Sequence, residues 1–116
     1  MTPMRWHIYI ADLDPVEGSE QGGQRPVIIV SNEDFNQVMP VLTVLPLTSL
    51  KPTRKIYPGE VLIRKGEANL DADSLVMAHQ IRTISKSRLR KDIGFLNEPS
   101  FQQTIENAIK LHLGLQ

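Results

Sequence analysis

Cysteine is absent from the 116-residue chain, which excludes disulfides and thiolate metal sites and fits a cytoplasmic location. Net charge is also missing: 13 Lys and Arg balance 13 Asp and Glu, against a generic polyanion binder. No stretch approaches the roughly 20 consecutive apolar residues of a membrane-spanning helix. "MTPMRWH" leads directly into a strand pattern without a basic and then an apolar region, so no secretory leader and no membrane association are expected.

Several catalytic patterns are missing too. His7, His79 and His112 stand apart, without the paired spacings of zinc sites, so neither a metal nor another cofactor is expected. There is no Gly-x-Ser-x-Gly elbow for a serine hydrolase. The glycines of "EGSEQGG" lack the dinucleotide spacing and a following helix.

What is present reads as one mainly β domain over 1–116, long enough to bury roughly two thirds of its unfolded surface. Alternation and β-branching predict strands at Trp6 to Leu13, Val27 to Ser31, Val41 to Leu47, Glu60 to Ile63, Ser74 to Ile84 and Ile93 to Leu96. Gly, Pro, Asn and Asp clusters at 14–26, 51–59 and 66–73 supply the connections. "SNEDFNQ" suits one helical turn capped by Ser31 or Asn32. The C-terminal segment has Asn97 as a capping residue, Pro99 in the first turn, an apolar stripe of Phe101, Ile105, Ala108 and Ile109, and Gly114 at its end. It predicts an amphipathic helix that covers the open side or end of a small barrel.

Charge is unevenly spread. Residues 1–34 carry Asp12, Asp14, Glu17, Glu20, Glu33 and Asp34 against Arg5 and Arg25, whereas 82–91 holds Arg82, Lys86, Arg88, Arg90 and Lys91 without an acid. The basic segment reads either as a phosphate-facing cluster or as a solvated edge, the latter being favoured. Polar residues gather at strand ends: Arg25 before Pro26, Thr48 and Ser49 after "VLTVLPL", and Gln80 and Arg82 inside "MAHQIRT". In a small barrel such ends can share one face and converge on a phosphate. The same residues also admit structural roles, Arg25 neutralising its acidic loop, Thr48 capping a turn and Gln80 satisfying the backbone.

"DPVEGSEQGGQRPVIIVSN", "VLPLTS", "YPGEV" and "HQIRTISKSRL" followed by "IGFL" resemble, in order and spacing, the MazF/PemK family of toxin endoribonucleases. The resemblance spans nearly the whole chain. It implies an SH3-like small β-barrel of the CcdB/Kid/MazF type with a C-terminal helix, acting as a cytoplasmic homodimeric toxin of a type II toxin–antitoxin system. The implied activity is metal-independent cleavage of single-stranded RNA, silenced by a cognate antitoxin. By motif, Arg25 and Thr48 match the family's catalytic pair. Ser19, Glu20 and Gln21 match the loop over the RNA and Gln80 a substrate-contacting glutamine, with Ser49 and Arg82 beside them. The implied reaction is attack of the ribose 2′-hydroxyl on the adjacent phosphate, leaving a 2′,3′-cyclic phosphate and a 5′-hydroxyl. A non-catalytic barrel module, such as the related CcdB toxins that bind a topoisomerase, is the alternative.

Two departures accompany the resemblance. Trp6 and His7 stand where the family usually has Gly and an acid, and His79 replaces an acid before Gln80. Strand alternation puts His7 with Tyr9 and turns His79 away from Gln80. His7 and His79 therefore read as a paired structural change, as a source of the missing acid or base near neutral pH, since Arg25 is a poor general base, or as a mark of lost activity.

Overall fold

The computed structural model describes residues 3–116; Met1 and Thr2, the start of "MTPMRWH", where no leader is expected, lie outside them. Seven strands and two helices follow in the order β1 (His7–Asp12), β2 (Gln24–Ile29), α1 (Glu33–Val38), β3 (Val41–Ser49), β4 (Glu60–Ile63), β5 (Ser74–Met77), β6 (Arg82–Ser85), β7 (Leu89–Phe95) and α2 (Pro99–Leu113). All pairings are antiparallel, in the order β4-β5-β3-β2-β1-β7, with β6 also on β3. No helix among the described residues is long and apolar enough to cross a membrane.

The strand expected over Ser74 to Ile84 is two strands, broken by a 3-10 turn at Ala78–Gln80. Both halves lie along β3, β6 against Val41 to Val44 and β5 against Leu47 to Ser49. Leu45 and Pro46 fall in the gap, so the nitrogen of Pro46 costs no ladder bond there. Pro26 is tolerated for a similar reason: it pairs with Ile10, but β3 pairs with β2 only from Val27 onward. β2 therefore begins at Gln24, before the expected Val27, and carries Arg25 as a strand residue.

The sheet does not close by hydrogen bonds. β4 and β7 lie at its two ends, and the 3-10 turn at Glu67–Asn69 reaches β7 instead, where Asn69 Nδ2 donates to Ile93 O at 3.0 Å. Gly94 permits that approach, since a Cβ there would lie 2.6 Å from Ala68 O. The barrel is thus an open one, with α2 packed over one side.

Strand alternation sends side chains into two apolar clusters. Ile8, Ile28, Leu45, Leu47, Val61, Ile63 and Val76 form one with Ile105 and Ala108 of α2, and Phe101 and Ile109 pack against it; this is the stripe expected from the sequence. Tyr9, Ala11, Leu13, Val27, Ile29, Leu42, Val44 and Ile84 form the other. The cap of α2 is Glu98 rather than Asn97, without a side-chain hydrogen bond, because Pro99 takes the first helical position. In α1 the cap is Asn32, whose side chain accepts from Asp34 N at 2.8 Å. Ser31 is drawn to β3 instead, its hydroxyl accepting from Thr43 N at 3.0 Å.

Trp6 has a left-handed backbone (φ 70°), unfavourable for a bulky residue. It is held by its N–H to Ile29 O at 2.8 Å and by Leu96 N donating to its carbonyl at 2.9 Å, and its ring is buried with Arg5 4.9 Å above it. Burial outweighs strain: losing a buried Trp costs about 3–5 kcal/mol, against about 1–2 kcal/mol for the left-handed backbone. Trp6→Gly is therefore expected to lower stability by about 2 kcal/mol in chemical denaturation.

Candidate active site

Alternation along the strands carries the second apolar face outward into polar ends. Arg25 follows the parity of Val27 and Ile29, Thr48 that of Leu42 and Val44, and Arg82 that of Ile84. The three side chains thus belong to one sheet face, and hydrogen bonds draw Arg25 toward Thr48. Its NH1 donates to Leu47 O at 3.3 Å, the carbonyl just before Thr48, and its Nε to Gly22 O at 2.9 Å.

Arg25 does not neutralise the acids of its own loop. Among the described residues it makes no ion pair, whereas the loop carboxylates serve the loop backbone. Asp14 Oδ1 accepts from Gly23 N at 2.9 Å and Glu20 Oε1 from Glu17 N at 2.5 Å. Gly22 is needed for this shape, since a Cβ would lie 2.7 Å from both Asp14 Oδ1 and Val16 Cγ2. Gly22 and Asp14, not singled out in the sequence, thus fix the loop that holds Arg25. Their signal was the Gly-Gly pair ahead of Arg-Pro.

Gln80 meets the same loop. Its Nε2 donates to Ser19 O and its Oε1 accepts from Gln21 N, both at 3.3 Å. Ser19 and Glu20 are exposed and Gln21 partly so. Ser49 ends β3 opposite Ser74, exposed, beside the half-buried Thr48. The basic segment is engaged with the first hairpin rather than simply solvated: Arg82 NH1 donates to Leu13 O at 3.3 Å, and Arg88 NH1 to Asp12 O at 3.1 Å and Asp14 O at 2.5 Å.

The histidines occupy other surroundings. His7 Nδ1 lies 2.9 and 3.2 Å from the Asp92 carboxylate oxygens, and its ring stacks on Phe95 at 5.1 Å. It stands four residues along β1 from Ala11, the partner of Arg25, a Cα separation of about 13 Å at strand rise. Tyr9 is buried next to it, and burial, with the charge and hydrogen bond of Asp92, raises its phenol pKa. His79 is exposed in the 3-10 turn beside Gln80, so strand alternation does not govern the pair. It acts electrostatically on Glu60, a carboxylate wholly shielded from solvent. Among the described residues no three His, Asp or Glu side chains gather as a metal site would require.

Residues 4–113 match the family model described as PemK-like, MazF-like toxin of type II toxin–antitoxin system. The chain belongs to this toxin family. An endoribonuclease MazF of Staphylococcus saprophyticus is 41% identical over 111 residues, covering 96% of this chain and 91% of that protein. Among solved structures, a mycobacterial endoribonuclease in complex with its cognate antitoxin aligns with TM-score 0.79 and 27% identity, over 98% of this chain and 97% of that one. The MazF of Deinococcus radiodurans aligns at 0.84 over 99% of each chain; at 24% identity it speaks for the fold alone. The toxin fold agrees with the SH3-like class expected from the sequence.

Proposed function

We propose that the protein is a cytoplasmic toxin endoribonuclease that cuts single-stranded RNA at a phosphate held by Arg25 and Thr48. The observation that carries this reading is a cation that has no carboxylate partner among the described residues and is bound to the carbonyl before Thr48 on the same sheet face. A guanidinium fork beside a hydroxyl suits a phosphorane, whose charge it neutralises through two parallel hydrogen bonds. A guanidinium offers donors and no acceptor, so Arg25 cannot abstract the 2′-hydroxyl proton; its role is charge stabilisation and proton donation to the leaving alkoxide. In the step, the ribose 2′-oxygen forms a bond to phosphorus and gives its proton to solvent water. The bond from phosphorus to the 5′-oxygen breaks, and that oxygen takes a proton from Arg25, which solvent then returns.

Alignment of the 2′-hydroxyl with the phosphate supplies much of the rate gain. Ser19, Glu20 and Gln21 cover the strand, Gln80 sets their position, and Ser49 and Arg82 border its path. A substrate with 2′-deoxyribose at the cut position is expected to bind and resist cleavage, and wild-type cutting is expected to persist in EDTA. Cleavage of the deoxy-substituted position would contradict the mechanism.

A homodimer and a cognate antitoxin belong to the same proposal. Phe35, Val38, Met39 and Val41 at α1 and Leu111, Leu113 and Leu115 at the end of α2 are exposed apolar groups suited to a second copy. Sharing the architecture of a mycobacterial relative solved with its antitoxin supports the partner.

A further inference from the structure

The two tyrosines of the chain have opposite environments. Tyr9 is buried, whereas Tyr57, in the connection from β3 to β4, is 54% exposed. Exposure here is not looseness, because Tyr57 is anchored from beneath by Glu60. That carboxylate, 0% exposed, accepts the Tyr57 N–H at 2.8 Å and the Arg54 guanidinium at 2.6 and 3.1 Å. Arg54 lies 6.0 Å and the Lys55 ammonium 5.5 Å from the centre of the Tyr57 ring. Lys51 adds a third cation, and no acid precedes Glu60 in the connection.

A wide ring held at the surface, with Arg54 and Lys55 over it, has a specific chemical fit. The face of a nucleobase stacks on it, and the neighbouring ammonium groups meet the phosphates on either side. The connection that carries Tyr57 links elements of the candidate site. The connection starts at Leu50, two residues after Thr48, and ends at Gly59, whose carbonyl accepts from Ala78 N at 3.1 Å. Ala78 opens the turn that carries Gln80, which in turn holds Ser19 and Gln21. Across the sheet Thr48 pairs with Leu75 and Leu75 with Leu62, which sets Leu62, five residues after Tyr57, two strand spacings or about 10 Å from Thr48.

We propose that Tyr57, with Lys55 and Lys51, forms a stacking subsite for a base of single-stranded RNA outside the scissile dinucleotide. This rests on the reading of Arg25 and Thr48 as the cleavage site. Stacking on an aromatic face tolerates any base, so the subsite adds affinity and a minimum substrate length rather than a sequence preference.

The test is the affinity of wild type, Tyr57→Phe and Tyr57→Leu for a fluorescent single-stranded RNA made uncleavable by 2′-deoxyribose, read by anisotropy. Tyr57→Leu is expected to bind roughly five- to a hundredfold more weakly and Tyr57→Phe close to wild type. A substrate trimmed to the scissile dinucleotide is expected to be cut by all three proteins with the same kcat/KM. Photocrosslinking wild type to RNA carrying 5-bromouracil outside the cut site is expected to modify Tyr57, a readout free of any effect of substitution on folding. Equal affinities, or adducts only elsewhere, in a protein that cuts RNA overturn the subsite and leave the cleavage site standing. A wild-type protein that neither binds nor cuts RNA overturns both.

Discussion

Arg25→Ala is expected to lower RNA cleavage by roughly a hundred- to a thousandfold, the effect of deleting one preorganised donor to a developing oxyanion. Arg25→Lys is expected to recover only part of the loss, because an ammonium keeps the charge but not the fork. The fold is expected to survive. Arg25 gives up hydrogen bonds to Gly22 O and Leu47 O at a half-buried position, about 1 kcal/mol each, against the roughly 5–15 kcal/mol that holds a domain together. Cleavage rates measured alongside thermal unfolding separate the two effects. Loss of cleavage together with loss of the unfolding transition would assign Arg25 a structural role instead.

Glu60 is expected to give the largest stability effect of a single polar substitution. Its carboxylate is 0% exposed and organises the whole 51–59 connection through Arg54 and the Tyr57 N–H. Breaking a fully buried pair costs about 3–5 kcal/mol. Arg54 remains 28% exposed and regains water, so about 2–3 kcal/mol is expected for Glu60→Ala. Burial by itself would raise the Glu60 pKa. The hydrogen bond from Arg54, that from Tyr57 N–H, and the charges of Arg54 and His79 together hold it below the usual range. A depressed folded pKa contributes stability that is fully present above the ordinary glutamate value of about 4.3 and is lost as pH falls through the lower folded value. Urea midpoints of wild type are therefore expected to drop in acid more steeply than those of Glu60→Gln. Parallel curves for the two proteins would remove Glu60 from the acid response.

The shared sheet face of the candidate site was legible because strand parity is short-ranged. The runs around Val27 and Val41 fix which side chains share a face, and Arg25 and Thr48 inherit that face at the strand ends. Parity failed where the backbone left the strand: His79 and Gln80 continue an extended pattern in the sequence but form a 3-10 turn. Pro46 carried the missing signal, marking where β5 and β6 both leave β3. The start of β7 was hidden by Arg90, Lys91 and Asp92, whose charge masks strand character at a sheet edge. The open sheet and the ties of Arg82, Arg88 and Gln80 to the first loop are long-range, joining residues 59 to 76 positions apart. Local patterning holds no record of such contacts, so the basic segment read as a solvated edge.

In the proposed reaction Arg25 and Thr48 promote attack by the ribose 2′-hydroxyl on a neighbouring phosphate. Chemical analysis of fragment ends tests it most directly, with a mixed single-stranded RNA incubated with wild type and with Arg25→Ala. Discrete fragments bearing 2′,3′-cyclic phosphates and 5′-hydroxyls, formed by wild type and nearly absent with Arg25→Ala, are the expected result. Fragments bearing 5′-phosphates, or equal cutting by both proteins, would contradict it.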